Sequence, residues 1–505
     1  MRKTLLTGVA FALVAALLGG CALARREPEA VTDIRLPEPT EEPENMILGE
    51  KLSAAPTEVT LYFASQDGTG FSAVTRMISR DAGQSLPQAA VATLLDSGAE
   101  RSIQSMADTR MLACETACGT VTVNLSIDAR NAQNPQELLA LQTSIGNTLL
   151  GIDGVSGVNV LIGNVSEGHC QLPLGAQTEP VAGVAAAYAQ LQAERDRLTQ
   201  AEQSEQAEPA DPILRHAILY FPSVTGDWLI PELCSLSVGP EGFVAALFEA
   251  LRSGPTQQAC ATASIPENVE LLDANPTIQT LSSGERVLDL NFAPTLVTYM
   301  ALSGMEVWKL TGSIAMTMCS FLPDLDAVRV MVNGEPITIC ERGETLMEFP
   351  GGMIRRRDFA DCIGSTVNLY LVNGEGMLQP TQRAVSMLSA LSPRALLREL
   401  VESAGADGDL RFPLPEGIQP VDILGVQTSG GVARVNLSAT FYRCCQNLNA
   451  REERSLIYAM VNTLCQLDGI RGVRFYVEGR AAETMAGGIY LKSVLLPNPG
   501  IVVQR

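Results

Sequence analysis

The sequence predicts a mixed α/β protein, α+β-like in its layering: three tandem two-layer β-α-β-β-α-β sandwiches with small mixed sheets. Three observations carry this. An apolar, alternating string recurs as Val121-Thr122-Val123-Asn124-Leu125-Ser126, Val287-Leu288-Asp289-Leu290-Asn291 and Ala433-Arg434-Val435-Asn436-Leu437-Ser438. Each copy follows an aromatic string (Leu61-Tyr62-Phe63, Leu219-Tyr220-Phe221, Leu369-Tyr370-Leu371) and precedes an apolar run closed by Gly163, Gly334 or Gly479. Pro87, Pro240 and Pro393 stand at equal spacing between the first two strings. A string that returns with its surroundings is a structural repeat, and 505 residues are too many for one core.

In chain order, Arg2 and Lys3 precede an uncharged apolar stretch from Thr4 to Gly20, the layout of a signal peptide over residues 1–20. Its end, Leu18-Gly19-Gly20-Cys21, resembles the lipobox of bacterial lipoprotein precursors. That resemblance implies a lipidation site at Cys21, whose thiol takes a palmitate-type diacylglycerol anchor after cleavage before it. A plain cleaved signal or an uncleaved anchor is the alternative, and each exports the chain. Residues 22–57 carry five prolines and many glutamates, too little apolar material to order themselves, and read as an acidic tether.

Each unit then opens on a strand: Val59 to Ala64, Ala217 to Phe221 and Val367 to Val372. The prolines start helices, since a first-turn residue needs no N–H. Apolar residues at helical spacing follow: Val91, Leu94, Leu95; Val244, Leu247, Phe248; Leu397, Leu400, Val401. After the strand pair ending in the recurring string, a second helix is announced by Asn134 before Glu137, Ser303 before Glu306 and Asn449 before Glu452, a capping-box spacing. Closing strands run from Val158 to Ile162, Val328 to Val332 and Val473 to Val477. The units span residues 58–166, 214–342 and 365–482. Between them lie a solvated helical linker over 184–208, with Ala187, Leu191 and Leu198 hinting at a seam, and a solvated linker over 343–363 containing Arg355-Arg356-Arg357. The tail, 483–505, includes Ile489 to Leu496, read as one added strand.

A formal charge of −21 repels nucleic acid and anionic lipid, so no nucleic-acid partner is expected. Histidine occurs only at His169 and His216, neither in a triad or metal-ligand spacing, and both read as loop residues. Of twelve cysteines, eleven follow Cys21. Cys114 with Cys118, or pairing through Cys444 and Cys445, would permit disulfides, while Cys319 and Cys465 read as small buried hydrophobes. Tyr62, Tyr220 and Tyr370 read as strand aromatics, and Asn124, Asp289 and Asn436 as caps of a neighbouring loop. Gly405-Ala406-Asp407-Gly408-Asp409 is a turn that lacks the glutamate of a calcium loop. No catalytic residue, cofactor or metal is predicted.

The L-Y-F strand, Ser253-Gly254-Pro255 after the first helix of the second unit, the V-N-L-S strand, Asn147-Thr148-Leu149 and Asn462-Thr463-Leu464, and the closing Gly-Val-x-x-Val string together resemble the GerMN domain of spore-germination GerM-type lipoproteins. That resemblance covers most of the mature chain, with three units where two are usual. It implies a non-catalytic protein, lipid-anchored on the extracytoplasmic face of a Gram-positive cell membrane and acting in sporulation or germination. The expected role is a scaffold or adaptor: a rod of three domains that binds other envelope or sporulation proteins and associates with itself through sheet edges. A solute-binding or envelope-sensing lipoprotein is the alternative, and a cell-wall hydrolase has no candidate nucleophile.

Overall fold

The computed structural model describes residues 47–52, 56–65, 69–81, 83–97, 107–203, 212–273, 276–403 and 410–503. Cys21, the leader, most of the tether and the Gly405–Asp409 turn lie outside the described residues. The end of the stretch read as tether does not stay apart from the fold: Gly49–Leu52 is a strand, β1. Repeat 1 then runs β2 (Thr57–Ala64), β3 (Phe71–Ile78), α1 (Leu86–Asp96), β4 (Met111–Ala117), β5 (Thr120–Leu125), α2 (Pro135–Leu150), β6 (Gly157–Ile162) and β7 (Val165–Ser166). The small strands β8 (Gly168–His169) and β9 (Leu172–Pro173) and the helix α3 (Val184–Gln203) follow.

Repeat 2 has the same order: β10 (Ile213–Pro222), β11 (Leu229–Val238), α4 (Gly242–Ser253), β12 (Ile278–Thr280), β13 (Arg286–Phe292), α5 (Thr295–Ser303), α6 (Val307–Phe321), β14 (Ala327–Val332) and β15 (Glu335–Pro336). After the hairpin β16 (Ile339–Arg342) and β17 (Thr345–Glu348), repeat 3 runs β18 (Gly364–Val372), β19 (Leu378–Ser386), α7 (Met387–Leu391), α8 (Pro393–Glu402), β20 (Ile423–Ser429), β21 (Val432–Leu437), α9 (Ala439–Cys445), α10 (Ala450–Leu464), β22 (Gly472–Val477) and β23 (Arg480–Ala481).

Each repeat therefore has a small mixed sheet, ordered β4-β5-β6-β7, β12-β13-β14-β15 or β20-β21-β22-β23, in which the central pair joined by the second helix is parallel and the other pairs within the repeat are antiparallel; in repeat 3, β1 adds a fifth strand parallel to β20. Each also has a separate hairpin whose second strand, β3, β11 or β19, the alternation pattern did not disclose. These strands show little apolar alternation, and β11 and β19 carry Pro231 and Pro380 opposite Tyr220 and Tyr370. A proline reads against a central strand but is tolerated where its missing N–H faces outward.

The second helix seals the hairpin's other edge. Tyr62 N–H donates to Thr148 Oγ1 at 3.0 Å, Tyr220 N–H to Thr317 Oγ1 at 3.1 Å and Tyr370 N–H to Thr463 Oγ1 at 3.2 Å. These threonines are fully buried, yet each satisfies a backbone donor that an open edge would leave bare. The helices can therefore be buried almost all round, with Leu149, Ile314 and Leu464 in the three cores.

The asparagine caps are real but fall two residues later in repeat 2. Asn124 Oδ1 accepts from Asn164 N–H, and Asn436 Oδ1 from Gly479 N–H, each at 2.8 Å, holding two-residue turns with left-handed backbone. The counterpart in repeat 2 is Asn291, which accepts from Gly334 N–H at 2.8 Å. Asp289 lies two residues earlier and pairs with Arg329, its neighbour across the parallel strands, through two contacts of 2.7 Å.

Helix starts follow the sequence signals in repeats 1 and 3 and depart from them in repeat 2. Ser85 and Ser392 cap the helices that Pro87 and Pro393 open, and Asn134 and Asn449 cap the second helices. Pro240 instead sits in a turn before α4, which begins at Gly242. Ser303 ends α5, Gly304 takes the left-handed conformation that stops it, and α6 begins at Val307 without a side-chain cap.

The stretches between units are not solvated spacers. Val184, Ala187 and Leu191 of α3 pack on Ala64, Leu139 and Ala140 of repeat 1, so the seam is intramolecular. Residues 343–363 are folded, and Phe349, Ile354, Phe359 and Cys362 complete the core of repeat 2. The tail buries Met485, Leu491 and Leu495 in repeat 3, and isolated bridges of Leu495 with Val473 and of Val502 with Leu378 stand in place of the added strand. Nor do the units form a rod: Ile47–Arg505 is one compact unit, with β11 against β5 and β18, and β18 against β4.

Candidate functional site at the repeat junctions

The charged and polar groups with chemical potential collect where repeats meet. Between repeats 1 and 2, Arg356 is buried with its side chain 1% exposed. Its Nη1 lies 2.9 Å from Glu115 Oε1, its Nη2 bonds Glu115 Oε2 and lies 3.1 Å from Tyr220 Oη, and its Nε lies 2.8 Å from Ser320 Oγ. Tyr220 Oη also approaches Thr122 Oγ1 at 3.4 Å. Burial works against the guanidinium's charge, but Glu115 and Tyr220 outweigh it and push its pKa up; burial and Glu115 push the Tyr220 phenol up. A satisfied, enclosed ion pair is a structural latch rather than a reactive centre. The run Arg355-Arg356-Arg357 was the sequence signal, but its middle member points inward.

All three repeats meet at a second cluster. Cys118 Sγ lies 3.5 Å from Thr366 Oγ1, which donates to Gln258 Oε1 at 3.1 Å. Gln382 reaches the same Gln258 oxygen at 3.2 Å and accepts from Ala259 N–H at 2.9 Å. Beside it, the buried Glu232 carboxylate accepts from Thr256 and Gln257 N–H at 2.7 and 3.1 Å, anchoring the loop after α4.

Between repeats 1 and 3 the junction is open. A cavity of about 630 Å³ is lined by Glu58, Met77, Gln84, Leu391, Ile470 and Arg471, and a neighbouring cavity of about 420 Å³ continues it. Arg80 Nη1 bridges it to Asp468 Oδ2 at 2.7 Å.

Among the described residues the histidines and thiols have structural surroundings. His169 is buried in β8 rather than in a loop, with Nε2 at 2.6 Å from Gln142 Oε1. His216 is a cross-strand neighbour of Ser235, at 3.2 Å on an exposed rim. The eleven described cysteines are unpaired, so neither Cys114 with Cys118 nor Cys444 with Cys445 forms a disulfide. Burial pushes Cys114 and Cys319 up to about 12, and Cys465 up to about 11, which leaves little thiolate at neutral pH. Among the described residues no group of three or more His, Cys, Asp and Glu is placed to hold a metal ion. Tyr220 is fully buried and Tyr62 and Tyr370 half-buried.

His169 makes the fold sensitive to acid. Burial lowers its pKa to about 4, against about 6.5 for a free imidazole, so the unfolded chain binds a proton that the folded chain does not. Its contribution is undisturbed above about pH 6.5 and is lost as pH falls toward 4, on the order of 3 kcal/mol over the whole window. Urea midpoints taken from pH 7 to 4.5 are expected to fall less steeply in His169→Gln than in the parent; parallel curves would show that His169 is not the group responsible.

The Germane family model, described as sporulation and spore germination, matches residues 60–167, 218–338 and 368–483, more than half of the chain. The chain belongs to the Germane family. No curated protein matches it. Among solved structures, the tandem GerMN domains of the sporulation protein GerM from Bacillus subtilis share 14% identity, covering 58% of this chain and 98% of that one, with a TM-score of 0.23. The first GerMN domain of the same protein shares 21% identity over 26% of this chain and 96% of that one, with a TM-score of 0.21. Membership rests on the threefold family match. In Germane terms, the open cavity lies between the first and third repeats, while the latch closes the first on the second.

Proposed function

We propose that this Germane protein is a lipid-anchored scaffold or adaptor on the extracytoplasmic face of the membrane, acting without catalysis in spore formation or germination. The observation that carries this reading is the family match to all three repeats. The lipobox ending in Cys21 supports the anchor, and no helix among the described residues is long and apolar enough to cross a membrane. The engagement of the junction side chains in structural bonds supports a binding rather than a reactive role. Partners are other envelope or sporulation proteins and further copies of the chain.

The deciding experiment is an in-frame deletion complemented with the wild-type gene or with Cys21→Ala. Loss of heat-resistant spores or slowed germination, restored by wild type and not by Cys21→Ala, is the expected result. Normal spores and normal germination would overturn the reading. The cavity of about 630 Å³ favours one second reading, a solute-binding or envelope-sensing lipoprotein. Saturable thermal stabilisation by a sugar, amino acid or short peptide would favour it over the scaffold.

A further inference from the structure

The first strand among the described residues does not join the repeat that follows it. β1 lies parallel to β20, from Gly49 opposite Gly425 to Leu52 opposite Thr428, and so extends the sheet of repeat 3. Three features of repeat 3 fit this segment. A Cβ at Gly425 would lie 2.6 Å from the Ile47 carbonyl oxygen and 2.7 Å from that of Gly49, so a side chain there excludes the strand. Asn436 uses its Nδ2 to donate to the Ile47 carbonyl at 2.9 Å while its Oδ1 holds the turn. The Glu50 carboxylate accepts from the Ser392 hydroxyl at 2.9 and 3.0 Å and from Arg394 N–H at 3.3 Å, at the start of α8 where an acid is favoured.

Repeat 1 has the same bulge in its edge strand and the same asparagine, but it lacks these fittings. Ala113 stands where repeat 3 has Gly425, and Asn124 Nδ2 donates to Asn164 Oδ1 at 3.0 Å instead of to a guest strand. The acceptor of repeat 3 is therefore not a feature that repeat 1 shares by repetition alone.

The guest is held lightly. Leu48 is 58% exposed, and Ile47, Gly49 and Glu50 are only half-buried, so backbone pairing and two side-chain anchors do most of the holding. Short edge strands with little apolar burial are among the first elements to open.

We propose that the β20 edge of repeat 3 is a strand-acceptor site, and that Ile47–Leu52 of a second copy of this chain is its exchange occupant. The neighbour's segment carries the same glycine, glutamate and backbone as the resident one and fits the same fittings. Copies held on one membrane meet at high effective concentration, which favours exchange. Reciprocal exchange closes a dimer, while one-way donation extends a row. The inference deepens the scaffold reading and rests on it for its setting, naming the edge through which copies associate.

The test uses two full-length chains purified in detergent, one with Lys51→Cys and an affinity tag, the other with Gln427→Cys. These positions are partners across the β1–β20 pair. The chains are mixed, warmed, oxidised and mapped by peptide mass. A link joining the two introduced thiols, formed in the mixture and lost when Gly425→Val is added to the acceptor, is the expected result. A third chain carrying both substitutions reports docking within one molecule. If it cross-links internally while the mixture never does at any concentration, the strand is a permanent part of its own chain and the proposal fails. If neither cross-links, β20 is no acceptor and the proposal fails as well. Spore yield plays no part in these readouts, so a failure here is distinguishable from failure of the scaffold reading.

Discussion

Arg356→Met is expected to destabilise the folded chain by about 3–5 kcal/mol, because it strands the Glu115 carboxylate in a site only 8% exposed. Glu115→Gln is expected to cost a similar amount by stranding the guanidinium, since an arginine does not shed its proton inside a protein. The double variant Arg356→Met with Glu115→Leu is expected to regain more than half of either loss, since it removes both charges and leaves only polar partners such as Tyr220 Oη to rearrange. Trp228 and Trp308, the chain's two tryptophans, both belong to repeat 2, so urea unfolding followed by their fluorescence reads the effect. A double variant no more stable than the singles would mean that shape, not charge pairing, holds repeats 1 and 2 together.

Glu453→Ala is expected to release the C-terminal segment from repeat 3. Glu453 is fully buried on α10, and its carboxylate accepts from Met485 N–H at 2.9 Å, Ala486 N–H at 2.7 Å and Gly488 N–H at 2.6 Å. Bonds from a charged acceptor contribute roughly 1.5–3 kcal/mol each and are not additive, so a loss of about 3–5 kcal/mol follows. Hydrogen exchange is the direct readout: those three amides are expected to exchange at least about a hundredfold faster than in the parent, since 1.4 kcal/mol is tenfold. Unchanged protection would show that Leu491 and Leu495, and not Glu453, hold the segment down.

Much of this architecture was legible because it is written in local periodicity. Val91, Leu94 and Leu95 face one core because residues three and four apart share a helix face, and Asn134 and Asn449 announce helix starts because a cap needs only the next turn. The same reasoning failed where a neighbour distant in sequence took over. Asp289 occupied the apparent place of Asn124, yet Arg329 across the sheet claimed it, and the cap passed to Asn291. Ser303 looked like a cap and became the end of another helix. Neither β11 nor β19 disclosed itself by alternation, because each buries apolar residues chiefly at its ends, Leu229, Leu236 and Val238 in one and Leu378 and Val385 in the other, with a proline between them.

The candidate sites divide in the same way. Sequence alone determined the repeats, their helix and strand order and the scarcity of histidine, all read from composition and from neighbours within a few turns of chain. Tertiary structure alone decided what the repeats do to one another. Arg356 and Glu115 are 241 residues apart, and a basic run next to glycines looks solvated until the partner repeat supplies the carboxylate. Gly425 and Glu50 look unremarkable in their own segments and acquire meaning only when β1 crosses to repeat 3. Periodicity carries the direction of a side chain relative to its own element, but the identity of the group it meets is set by how elements pack, and that information is spread over the whole chain.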